Sequence, residues 1–126
     1  RFVADFIGTS NLIEGRVAAA QGGKIVFEAD AGGQLQAEGE AAVGARGALC
    51  IRPEKIDLVP PGSGRALPAT VVRAVRVGGL MEYAVALANG PELIVQEQLR
   101  HGVAAHGTGD GVSVLLRPEH ARFLAG

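Results

Sequence analysis

A chain of 126 residues with 12 basic and 13 acidic side chains carries a formal charge of -1, so no long-range positive field gathers nucleic acid or an anionic membrane surface. A single cysteine, Cys50, excludes an internal disulfide framework and a cysteine-based zinc cluster and favours a reducing, cytoplasmic setting. The length fits one domain, and no apolar run approaches the ~20 residues of a membrane-spanning helix, which predicts a protein held at a membrane, at most, by a partner.

In chain order, Val3, Phe6 and Ile7 recur at helical spacing and Gly8 is placed to end the turn, which predicts a short N-terminal helix tail. The pattern starts abruptly and without an initiator methionine, as expected of a piece of something longer. From Glu14 the signal turns to β: strands are predicted at 16–20, 24–29, 34–38 and 48–52, separated by glycine turns. Pro60-Pro61-Gly62-Ser63-Gly64 reads as a linker, and strands resume near Ala66. Tyr83, Val85 and Leu87 alternate onto one face, Asn89-Gly90 signals a hairpin, and Leu93 to Gln98 returns. Gly107-Thr108-Gly109-Asp110-Gly111 then leads into a last predicted strand, 112–116.

These elements repeat. Leu49-Cys50-Ile51-Arg52-Pro53-Glu54 recurs as Val114-Leu115-Leu116-Arg117-Pro118-Glu119; Gly22-Gly23 matches Gly78-Gly79, Phe27 matches Tyr83, and Gly32-Gly33 sits where Asn89-Gly90 recurs. The second copy carries extra loop, placed within Arg100 to Gly109. Each copy is too short to bury a core alone, so the expectation is an all-β protein of two packed, OB-like barrel or sandwich units arising by internal duplication. The halves are expected at 14–59 and 66–126, joined by a linker over 60–65 and preceded by a junction over 1–13.

Candidate chemistry is sparse. In each Arg-Pro-Glu, proline ends a strand's ladder and the flanking charges, Arg52 and Glu54 or Arg117 and Glu119, are thrown to one rim. A structural corner is the first reading; an arginine fork offered to an anion or a partner carboxylate is the second. Neither Gly107 to Gly111 nor Gly22-Gly23-Lys24-Ile25 ends in Gly-Lys-Ser/Thr or opens a helix, so neither is a nucleotide loop. His101, His106, His120 and Cys50 follow no recurring zinc spacing. Glu38 and Glu40 read as solvent-facing charge, and Ser10, Ser63 and Ser113 lie in no nucleophile elbow. The chain is therefore expected to be non-catalytic, with no cofactor or metal of its own.

Phe2-Val3-Ala4-Asp5-Phe6-Ile7-Gly8-Thr9-Ser10-Asn11-Leu12-Ile13-Glu14-Gly15 resembles the junction that follows the nucleotide-binding domain in ATP-binding subunits of bacterial ABC importers. Ile51 to Ile56 and Gly109 to Glu119 resemble the TOBE (transport-associated OB) regulatory domain of those subunits, and the junction looks nearest to the spermidine/putrescine branch. The resemblance implies a cytoplasmic regulatory and dimerisation domain beneath the transporter, at the inner face of the plasma membrane, that tethers two ATPase subunits as a homodimer. ATP and Mg would belong to a preceding ATPase domain, and permease subunits would be indirect partners. It places Phe6, Ile7, Gly8, Asn11 and Leu12 at an interface with the ATPase domain or with the twin. Two rival readings follow. One is a small-molecule or oxyanion sensor, which an evident cluster of Ser, Thr and Lys donors would favour and which the sequence lacks. The other is a nucleic-acid-binding OB protein, which would need a basic groove with stacking aromatics.

Overall fold

The computed structural model describes residues 10–62, 66–88, 90–99 and 106–125. Among them run ten strands: β1 (Asn11–Gln21), β2 (Lys24–Ala29), β3 (Gln34–Glu38), β4 (Arg46–Ile51), β5 (Ile56–Val59), β6 (Leu67–Val77), β7 (Leu80–Leu87), β8 (Glu92–Gln98), β9 (Gly111–Leu116) and β10 (Arg122–Ala125). The expected N-terminal helix tail lies outside the described residues. β1 begins at Asn11, so the last residues of the expected junction are already strand.

The strands form a closed barrel, in the order β1-β2-β3-β10-β4, and a five-stranded sheet, in the order β5-β9-β6-β7-β8. The duplication is visible in this order, but the final strand of each copy is exchanged. β5 leaves the first copy to pair with β9, Ile56 opposite Leu116, and β10 leaves the second copy to pair with β4, Phe123 opposite Leu49. The barrel closes through one parallel pair, Arg122 opposite Glu38. The division expected at 14–59 and 66–126 is therefore crossed twice: the barrel takes 122–125 from the second half and the sheet takes 56–59 from the first.

Alternation explains the packing. Ile13, Val17, Ile25, Phe27, Leu35, Leu49 and Ile51 point into the barrel, Leu67, Val71, Tyr83, Val85, Leu93, Val95 and Val114 face the interior of the sheet, and all fourteen join one continuous core. The exchanged β10 is locked by Phe123, whose ring meets Phe27 edge-on at 6.1 Å. Two glycines paired across β1 and β4, Gly15 and Gly47, make the space. A Cβ on Gly47 would strike the Leu124 carbonyl and lie 2.7 Å from the Phe123 ring; one on Gly15 would strike the Glu28 carbonyl and lie 2.8 Å from the Phe27 ring.

The two hairpins differ in length. Each carries a bulge, between Val17 and Ala19 in β1 and between Val71 and Arg73 in β6, but five residue pairs separate the bulge from the turn in β6–β7 against three in β1–β2. Counting from the bulge, Phe27 therefore corresponds to Val85 rather than to Tyr83, a correction that alignment on the glycine turns could not reveal. Asn89 lies outside the described residues, while Gly90 N–H donates to Leu87 at 3.4 Å and β7 pairs with β8 as the hairpin signal predicts.

Candidate functional site

The Arg-Pro-Glu motifs sit at the two crossovers. One 3-10 turn, Pro53–Lys55, carries the chain from β4 in the barrel to β5 in the sheet; another, Pro118–His120, carries it back from β9 to β10. Proline suits both because its φ is preset and the first turn of such a helix needs no donor. The turns close with Lys55 N–H donating to Arg52 at 3.0 Å and His120 N–H donating to Arg117 at 2.9 Å. The motif is thus the corner that moves a strand between sheets.

Three of its four charges, Arg52, Glu54 and Arg117, are engaged within the chain. Arg117 Nε donates to Asp57 Oδ2 at 3.0 Å, joining the second turn to the exchanged β5. At the position matching Asp57 the other copy has Arg122, so Arg52 turns instead to Glu54 Oε2 at 2.7 Å. That hydrogen bond lowers the Glu54 pKa and raises that of Arg52. Glu119 is exposed.

Asn11, expected at an interface with the ATPase domain or with the twin, is turned inward against β8. It is 7% exposed. Its Nδ2 donates to the Ile94 carbonyl at 2.8 Å and its Oδ1 accepts from Ile94 N–H at 2.8 Å, so the side-chain amide pairs with β8 as a peptide group would. It joins the barrel to the edge of the sheet. Leu12 is half-buried and lines a cavity of about 270 Å³ with Ile13, Glu14, Asp30, Ala31 and Pro91. Phe6, Ile7 and Gly8 lie outside the described residues.

Nearby, Arg46 grips Asp30 with two hydrogen bonds, 2.9 and 2.7 Å, which hold the Asp30 pKa below its ordinary value. The Arg117–Asp57 and Arg46–Asp30 pairs leave no local signal in the sequence, because each joins residues far apart along the chain, whereas Arg52 and Glu54 sit two apart within the marked motif. The remaining polar candidates are scattered. His106 lies against Tyr83, ring centroids 5.5 Å apart, and within 4.0 Å of Glu97; Cys50 is half-buried in β4; His120 belongs to the second crossover turn; and buried Ser113 accepts from Gly62 N–H at 3.3 Å. His101 lies outside the described residues.

A TOBE domain model matches residues 49–124, the stretch from β4 through the two crossovers into the exchanged β10. The chain belongs to the TOBE domain family. This TOBE domain is 35% identical over 127 residues to Spermidine/putrescine import ATP-binding protein PotA 1 of Pseudomonas aeruginosa, covering 98% of the chain and 34% of that protein. It is 33% identical over 130 residues to the PotA protein of Rubrobacter xylanophilus, covering 100% and 34%. To Sulfate/thiosulfate import ATP-binding protein CysA of Ralstonia nicotianae it is 28% identical, again over 98% of the chain and 34% of the relative. The chain spans about a third of the length of these curated relatives. Among solved structures, the cytoplasmic molybdate-binding protein ModG, with molybdate bound, superimposes with a TM-score of 0.81 at 18% identity, covering 92% of this chain and 96% of that one. That likeness establishes a shared OB-type fold.

Proposed function

We propose that this TOBE domain is the regulatory part of an ATP-binding subunit of a bacterial ABC importer, in a branch that imports polyamines. The observation that carries the reading is the identity to polyamine import ATP-binding proteins along nearly the whole chain, confined to a third of their length. Under this reading ATP and Mg bind a separate ATPase domain, the permease subunits are reached through that domain, and the assembly works at the cytoplasmic face of the membrane. The domain contributes contacts rather than chemistry: it associates with its twin and so tethers two ATPase subunits through their cycle. An anion-sensing role gains nothing from the arginines, because Arg52 and Arg117 already hold carboxylates.

The test is a transplant. The corresponding third of the Pseudomonas aeruginosa polyamine subunit is replaced by this chain, and spermidine uptake is followed in cells lacking the native subunit, beside a truncation without the segment. Uptake restored by the transplant and lost in the truncation supports the reading. A transplant that is stable and membrane-associated yet no better than the truncation overturns it.

A further inference from the structure

We draw no further inference here: the strongest candidate, the exposed apolar stretch of Val72, Val75 and Val77 on the outer edge of β6, is interleaved with Arg73 and Arg76, and nothing in the structure shows what covers it.

Discussion

Replacing Asn11 by leucine tests whether the barrel and the sheet are held by one side-chain amide. Leucine shares the branching and heavy-atom count of asparagine, is bulkier and offers no polar atom, so Asn11→Leu removes both 2.8 Å hydrogen bonds to Ile94 without opening a cavity. Each bond contributes about 1 kcal/mol net, and each Ile94 group left unpaired costs about 1–3 kcal/mol where water is excluded. Ile94 is half-buried, so water recovers part of that cost. The expected loss is about 2–4 kcal/mol, or roughly 10 °C in midpoint for a domain of this size. Urea unfolding measures the energy, and amide hydrogen exchange measures the site: Ile94 N–H should lose protection while Val85 and Val95, in the same sheet, keep theirs. Asn11→Asp separates the two bonds. The carboxylate still accepts from Ile94 N–H but sets its second oxygen against the Ile94 carbonyl, which favours the protonated acid in the folded state. A group whose pKa is raised by folding stabilises below its unfolded value and loses that contribution as pH rises, so this variant should gain on the native chain as the pH falls from 7 toward 4. A loss under about 0.5 kcal/mol for leucine, with Ile94 protection intact, would refute the reasoning.

Gly47→Ala should cost about 2–4 kcal/mol, because its Cβ meets the Leu124 carbonyl and the Phe123 ring; hydrogen exchange should show β10 opening ahead of the other barrel strands. Arg117→Gln and Arg52→Gln remove exposed ion pairs and should each change stability by less than about 1 kcal/mol, as read by thermal unfolding. Asp30 and Glu54 have lowered pKa values in the folded state, so their contribution is present above the ordinary values of 3.8 and 4.5 and is lost as pH falls through the folded ones; the midpoint should drop below about pH 4, less steeply in Asp30→Asn and less steeply at high salt. Segments 10–62 and 66–125, prepared separately, should each be unfolded by circular dichroism and gain β signal on mixing, since each lacks a strand that the other supplies.

Local chemistry was legible where it decides backbone conformation by itself. The alternation of Lys24 to Ala29 and of Gln34 to Glu38 places β2 and β3 to the residue. The repeated Arg-Pro-Glu reports the duplication because proline forces the same corner twice. The exchanged strands escaped notice for a physical reason. β5 and β10 are four residues each, too short for a periodic signal, and each takes its pairing from a partner far along the chain. Alignment on the glycine turns pairs Phe27 with Tyr83, whereas the two extra pairs in the second hairpin lie between turn and bulge and leave no mark in composition. Asn11 is polar and near a junction, features that read as surface; only the nearby Ile94 backbone, 83 residues away, reveals that its amide serves as a strand bridge.

Strand exchange bears on what such a domain can do for a transporter. A barrel and a sheet joined by one linker would hinge; here the chain crosses between them at Pro53–Lys55 and returns at Pro118–His120, and Asn11 spans them a third time. Opening the seam would peel β5 from β9 and β10 from β4, breaking ladders on both sides and pulling Phe123 off Gly47. Two crossovers and the Asn11 bridge therefore restrain bending between barrel and sheet more than a single linker would. If the domain conveys a state of the ATPase cycle, it must do so through how its outer surface docks, since a ligand or partner shifts an equilibrium only where the alternative states differ in contact.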